Sequence, residues 1–240
     1  MHGTNRLIQA LSSAARRRLI GRAKGVQLKA NEQLCAAGGR LRHIYFPTGA
    51  LISLSTPFLD ERSVAVGLLG DEGMLGIWTT LGVSESPLRA TVQNAGTAWR
   101  LDMTSFEQEL RQTAALRRGL EQYLYVVLAQ RTRVAACVCF HVLEQRLARW
   151  LLMTRDRMHA NEMHITHEYL AGVLGVRRAG ITSAALSLQA RRLIRYSRGE
   201  IRILDAAALR SAACDCYDAD CKSYAEQMDQ SAGLSTLEAM

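Results

Sequence analysis

Over the first hundred residues, hydrophobic and polar positions alternate in short runs; beyond them they settle into long helical stripes. LRHIYF (41–46), LISLS (51–55), SVAVGLL (63–69), RATVQN (89–94) and TAWRLD (97–102) are separated by Gly, Pro, Asp and Ser, as short strands with tight turns are. They predict a small antiparallel barrel or roll. Ahead of them, Leu7, Leu11, Ala15, Leu19 and Ile20 form an apolar stripe that predicts one helix over about residues 5–24. All three prolines and ten of the 18 glycines lie between residues 25 and 102, so the punctuation itself divides the chain.

From residue 114 to 138 the pattern becomes helical. Leu120, Leu124, Val127, Val134 and Val138 recur at spacings of four and three, interrupted at Arg131, and make a coiled-coil-like seam. A second apolar face carries Leu116, Tyr123, Leu128 and Ala135, so one face can meet the roll and the other a second chain; packing on the roll alone is the simpler alternative. Another helix begins near His141, with Leu143, Leu147, Trp150 and Leu151 on one side. These patterns predict an α+β chain with two domains, residues 1–140 and 141–240.

Composition adds a direction. Thirty Lys and Arg against 22 Asp and Glu leave a net charge of +8, which favours an anionic partner without naming one. By segment, residues 1–140 carry 17 basic and 10 acidic side chains, residues 141–205 carry 11 and 6, and the last 35 carry 2 and 6. The middle segment is the most basic per residue. No run approaches the roughly 18 consecutive apolar residues of a membrane helix, and the N-terminus lacks a signal peptide's apolar stretch; a cytoplasmic protein with no membrane partner is expected. The six cysteines are spaced as reduced thiols, not as a disulfide framework.

Residues 166–194, THEYLAGVLGVRRAGITSAALSLQARRLI, carry the most specific signal. Two short helices crossing steeply need a small residue at their closest approach, a residue tolerant of left-handed backbone at the turn, and a branched apolar residue facing back across. Ala171, Gly175 and Ile181 meet these needs. Leu170, Val173, Leu174, Ala184 and Leu188 complete the buried faces, and Thr166 stands where an N-cap belongs. An ordinary helical hairpin is the bland reading; the outward residues of the second helix, Arg177, Arg178, Thr182, Ser183 and Arg191, weigh against it. Arg presents the fork that matches guanine O6 and N7. After it, LIRYSRGEIRILD (193–205) predicts a hairpin with Arg198-Gly199 at its tip, the wing of a winged helix touching phosphates.

A glycine-rich roll, a long helix and a winged helix-turn-helix in this order resemble the Crp/Fnr family of bacterial transcription regulators over nearly the whole chain. HIYFPTGALISL and VAVGLLGDEGMLG are similar to the family's roll. The resemblance implies a cyclic-nucleotide-binding-like, jelly-roll-type β-roll, a dimerisation helix (114–138), a helix-turn-helix (about 166–192) and a wing (about 193–205). It implies a homodimer binding a palindromic double-stranded DNA site, with half-sites about one helical turn apart, and RNA polymerase as a further partner if the protein activates. In the cyclic-AMP receptor branch the recognition helix presents Arg, Glu and Arg; the matching positions here are Arg178, Ala179 and Ser183, which implies a different half-site. Base reading falls to Arg178, Ser183 and Thr182, and phosphate contact to Thr166, Arg177, Arg198 and Arg191.

The effector positions depart further. The family's cyclic-nucleotide cassette pairs Gly-Glu with Arg-Ser/Thr, whereas Gly73 precedes Met74, Gly76 precedes Ile77 and Arg89 precedes Ala90. Arg131 and Thr132 stand where the adenine-contacting hydroxyl pair is expected. The pocket formed by Gly73, Gly76, Arg89, Arg131 and Thr132 is thus expected to be degenerate and not to bind cyclic AMP; the alternative is an unidentified nucleotide or anionic effector near Arg89 and Arg131. No cofactor is expected. An N-terminal iron–sulfur site would have only Cys35, Cys214, Cys216 and Cys221 have an unusual zinc spacing, Cys137 and Cys139 point to different sides of a helix, and haem would depend on isolated His43, His141 or Cys139.

An enzyme is not expected. A cupin-like metal site needs several histidines within the roll, and residues 25–102 hold only His43; Ser/His/Asp, P-loop and metalloprotease motifs are lacking. A module whose helix-turn-helix serves protein contacts fits poorly with Arg177, Arg178 and the basic wing.

Overall fold

The structure, a computed structural model, describes residues 3–57 and 63–237. Its elements begin with two short helices, α1 (Arg6–Gln9) and α2 (Ser13–Arg22), where one was expected. The break has a local cause: Ser12 takes an extended conformation and its hydroxyl accepts a hydrogen bond from Ala15 N–H, capping a fresh helix. Asn5 caps α1 in the same way, while its amide donates to the Pro47 and Gly73 carbonyls at 2.8 and 2.9 Å.

The roll follows as β1 (Lys24–Leu28), β2 (Gln33–Cys35), β3 (His43–Pro47), β4 (Leu51–Pro57), β5 (Ser63–Leu69), β6 (Arg89–Asn94) and β7 (Gly96–Asp102). One sheet runs β1-β7-β3 and the other β2-β6-β4-β5. In the first, Val26 lies opposite Ala98 and Ile44 opposite Leu101, antiparallel throughout. Strands β1 and β2 were not expected: their exposed polar residues conceal the alternation that burial imposes elsewhere. A short 3₁₀ helix (Ile77–Leu81) interrupts the path between β5 and β6.

Two longer helices come next, α3 (Met103–Gln112) and α4 (Ala114–Phe140). Asp102 caps α3, and buried Glu109 holds α2 to it through Arg18 and Arg22 at 3.2 and 2.9 Å. Helix α4 is the one described helix long and apolar enough, by length and composition, to cross a membrane, with an 18-residue window of mean hydropathy 1.2. Part of that apolar surface is used within the chain, since Leu116, Leu120, Tyr123 and Val126 are buried.

The chain continues through α5 (Leu143–Met158), β8 (Glu162–His164), α6 (His167–Leu174), α7 (Arg178–Ala190), β9 (Ile194–Ser197), β10 (Glu200–Ile203), α8 (Ala206–Ala212) and α9 (Cys216–Leu237). Two compact units result. One comprises the chain up to Leu54, Gly67–Ala129 and everything from Lys222 onward; the other comprises Ser55–Val66 and Gln130–Cys221. This differs from a division at residue 140: the boundary falls within α4, between Ala129 and Gln130, and α9 joins the first unit from Lys222. There Met228 is buried and the Tyr224 hydroxyl donates to the Glu72 carbonyl at 2.8 Å.

The expected dimer seam needs correction. Leu120 is fully buried in the roll's core, and Leu124 and Val127 pack partly against it, so the roll has taken these three positions. The exposed residues one position later, Tyr125, Leu128, Thr132, Ala135 and Cys139, keep the spacing of three and four. One residue is about 100° around a helix, so the open stripe is a different face. Val134 is half-buried and Val138 exposed.

Candidate nucleic-acid interface

The site is built by α6, the turn after it, α7 and the β9–β10 hairpin. Thr166 has extended backbone and its hydroxyl accepts from Tyr169 N–H at 3.1 Å, starting α6. Leu170, Ala171, Val173 and Leu174 are buried on one side. Gly175, at φ 64° and ψ 41°, ends the helix in left-handed backbone, where glycine lacks the Cβ clash of other residues. Arg146 donates to the exposed-end carbonyl of Leu174 at 2.5 Å. From α7, Ile181, Ala184, Ala185 and Leu188 fill the core of the pair. The three diagnostic positions of the helix-turn-helix therefore sit as expected: Ala171 and Ile181 inside, Gly175 at the turn.

Helix α7 opens without a side-chain cap, with Arg177 at the N-cap position. Its first-turn N–H groups and two exposed guanidinium groups, Arg177 and Arg178, thus share one end, and helix N-termini and cations both attract anions. Ala179, Ser183 and Leu186 lie outward along the same helix at spacings of four and three. Leu186 was not singled out from the sequence, although that spacing places it; it is 58% exposed. An outward Ala and Leu offer apolar contact of the kind a thymine methyl accepts.

Two expected contacts are otherwise engaged. Thr182 turns its hydroxyl to His167 Nδ1 at 3.1 Å and to the Arg178 carbonyl at 3.2 Å, so it ties α7 to α6 in place of facing outward. Arg191 is paired with Glu144 at 2.8 Å, which directs its charge toward α5. His167 is buried and stacks on Tyr196, ring centroids 4.1 Å apart and 12° from parallel, linking α6 to the wing. Burial first, and then the Arg178 charge, hold this histidine below its ordinary pKa.

The hairpin forms as read. Ser197 and Glu200 pair across Arg198 and Gly199, whose φ values are 49° and 84°, the two positive values of a type I′ turn. Arg198 is exposed at the tip. Strand β8 adds to β10, giving the order β8-β10-β9; it escaped notice because three residues are too few for alternation to register. Ile194, Ile201, Ile203 and Met163 face inward, while Arg195 and Arg202 are exposed.

The effector candidates are distributed over both units. In the roll unit, a Cβ on Gly73 would overlap the Tyr123 hydroxyl, and Gly76, at φ 103°, lies against Leu41 and Ile44. Both glycines mark close packing. Glu72, beside them, is buried and its carboxylate accepts from Gly70 N–H at 2.9 Å. Arg89 is half-buried at the start of β6; in the other unit Arg131 is half-buried and Thr132 exposed. Cys214, Cys216 and Cys221, considered together in sequence, separate: the first two are buried with Cys137, whereas Cys221 and Cys139 are exposed.

Residues 145–212 match the Crp-like helix-turn-helix domain. No curated protein matches the chain. Among solved structures, the c-di-GMP-responsive global regulator CLP of Xanthomonas campestris is 15% identical with a TM-score of 0.66, covering 81% of this chain and 100% of that one. FixK2 of Bradyrhizobium japonicum is 14% identical at TM-score 0.64, covering 80% and 98%. A Crp/Fnr-family transcriptional regulator of Thermus thermophilus is 21% identical at TM-score 0.62, covering 79% and 98%. Residues 145–212 thus carry a Crp-like helix-turn-helix domain, and the chain has the fold of solved Crp/Fnr-family regulators.

Proposed function

We propose that this chain is a Crp/Fnr-type transcription regulator that binds double-stranded DNA as a homodimer, laying α7 in the major groove of each half of a palindromic site. The observation that carries the reading is the exposed Arg177–Arg178 pair at the uncapped start of α7, in the same unit as the exposed Arg198 wing tip. Arg178 reads a guanine. Ser183 offers a hydroxyl and Leu186 and Ala179 an apolar surface to the neighbouring bases. Arg177, Arg198 and the Thr166 hydroxyl, which keeps its own hydrogen to donate, hold phosphates. With alanine and serine where the cyclic-AMP receptor branch has Glu and Arg, the half-site differs from that branch's.

Dimerisation uses the exposed stripe of α4 through Tyr125, Leu128 and Ala135. That stripe is apolar, and only 17% of the helix's most apolar window is buried within the chain; a second copy covers it. The roll does not bind cyclic AMP, because the cassette lacks Gly-Glu and Arg-Ser/Thr, Glu72 serves a backbone N–H, and Gly73 and Gly76 are closed by packing. CLP is described as c-di-GMP-responsive; the alternative for this chain is a nucleotide or other anionic effector, tested by mutating Arg89 and Arg131 separately.

Selection from a random DNA pool followed by binding across a salt series tests the reading. Arg178→Ala should relax preference at one base pair per half-site, at about 1–3 kcal/mol, while Arg198→Ala weakens all sequences alike and reduces the salt slope by about 1 per site. Salt-independent binding with no enriched sequence refutes the reading; equal, uniform losses in both variants refute the division of roles.

A further inference from the structure

Four metal-ligating side chains that are distant in sequence meet inside the second unit. Cys137 lies on the last turn of α4 and His141 directly follows that helix; their i, i+4 spacing puts them on one face, and His141 N–H still donates to the Cys137 carbonyl at 3.1 Å. Cys214 lies in the short connection between α8 and α9, and Cys216 is the first residue of α9. One ligand atom from each residue lies within 4.8 Å of all the others, and the three cysteines are buried.

The spacing is that of a coordination shell. Cys137 Sγ and Cys214 Sγ are 3.6 Å apart, as are Cys216 Sγ and His141 Nδ1. A tetrahedral ion with metal–sulfur bonds of about 2.3 Å and a metal–nitrogen bond of about 2.0 Å requires edges of roughly 3.8 and 3.5 Å. The second ring nitrogen, Nε2, is 3.3 Å from the Asp215 carboxylate, the outer partner that fixes the tautomer of a ligating imidazole.

The surrounding charge agrees. Three thiolates and a neutral imidazole around a divalent cation leave one net negative charge. Asp220 is shared by two guanidinium groups, Arg133 and Arg149, which leaves one positive charge unmatched. Arg149 is 8% exposed and keeps a buried Nε without a hydrogen-bond partner. A partly buried cluster of two guanidinium groups on one carboxylate keeps a net positive charge, which is costly away from water; a thiolate-bound ion beside it supplies the opposite charge.

We propose that Cys137, His141, Cys214 and Cys216 bind one thiophilic divalent cation of the zinc class, in a closed four-ligand site of the structural type. Binding exchanges three thiol protons for the ion, with no change of oxidation state. Two ligands precede residues 142–213 and two follow them, so the ion ties together the ends of the segment that contains the helix-turn-helix and wing. Binding energy at such a site is folding energy.

The test uses the full chain purified with reductant, measuring bound metal by mass spectrometry and then titrating chelator-treated protein with Co²⁺. About one equivalent should bind, with the visible bands of tetrahedral cobalt and a sulfur-to-cobalt charge-transfer band. Cys137→Ser and Cys216→Ser should each remove the charge-transfer intensity expected of three thiolates, Cys139→Ser and Cys221→Ser should leave the spectrum unchanged, and Asp215→Asn should weaken affinity about 10- to 100-fold. X-ray absorption of the unaltered protein should show three sulfurs and one nitrogen, which keeps the proposal testable if a variant does not fold. No cobalt uptake, uptake unaffected by the serine variants, or a Cys137–Cys214 disulfide in reduced preparations overturns it.

Discussion

Leu120 and Leu128 lie on the same helix and carry the same side chain, yet the structure assigns them opposite roles. Leu120 is 0% exposed inside the roll, whereas Leu128 is 64% exposed. Truncating a fully buried leucine forfeits its transfer free energy and leaves a cavity, so Leu120→Ala should destabilise the protein by about 2–5 kcal/mol. For a unit of this size that corresponds to a fall in Tm of about 2–4 °C per kcal/mol. Leu128→Asp removes no core contact of comparable depth; its direct effect on chain stability should be within about 0.5 kcal/mol. Its effect on association should be large, because a carboxylate would be carried into an apolar interface without a partner. Sedimentation or light scattering should therefore give dimers for Leu120→Ala and monomers for Leu128→Asp. Urea unfolding separates the two further: the unaltered protein should lose stability on dilution by mass action, and Leu128→Asp should be independent of concentration. A dimer that persists in Leu128→Asp and dissociates in Leu120→Ala would restore the original seam and refute the assignment.

Other outcomes follow from single contacts. Gly73→Ala should destabilise the roll, because its Cβ meets the Tyr123 hydroxyl and ring and the Leu69 side chain; Tyr123→Phe in the same chain should recover part of the loss in a thermal melt by removing the hydroxyl overlap, and absence of any rescue would show that the hydroxyl is not the contact that matters. Thr166→Ala should cost about 1 kcal/mol by removing the cap of α6, measurable by denaturant unfolding and absent if the cap does not operate. His167 has a lowered pKa in the folded state, so as pH falls through its unfolded value the unfolded chain takes up the proton first. Stability is then lost between that value and the lower folded pKa; His167→Gln should flatten this part of the profile, and an unchanged slope would refute the assignment.

Much of the helix-turn-helix was legible because its requirements are local. Ala171, Gly175 and Ile181 are set by the approach of two helices only a few residues apart, and Arg198-Gly199 by the two positive φ values of one turn. Strand periodicity revealed β3 to β7 of the roll for the same reason. The short strands β1 and β2, with mostly exposed residues, lacked it, and the break at Ser12 depends on a single hydroxyl that fits a continuing stripe equally well.

Side-chain direction was decided only by tertiary packing. Apolar residues on both sides of α4 allow either face to meet the roll, and burial of Leu120 selected one, rotating the open stripe by a residue. Thr182 and Arg191 look outward by periodicity, but His167 and Glu144 claim them once the helices pack. The cysteines show the limit most plainly. Their spacing along the chain argues against ligation, and only a fold that brings the end of α4 beside the α8–α9 connection places Cys137 and His141 against Cys214 and Cys216. Periodicity records which residues share a face of one element; which faces meet depends on contacts between residues far apart in sequence.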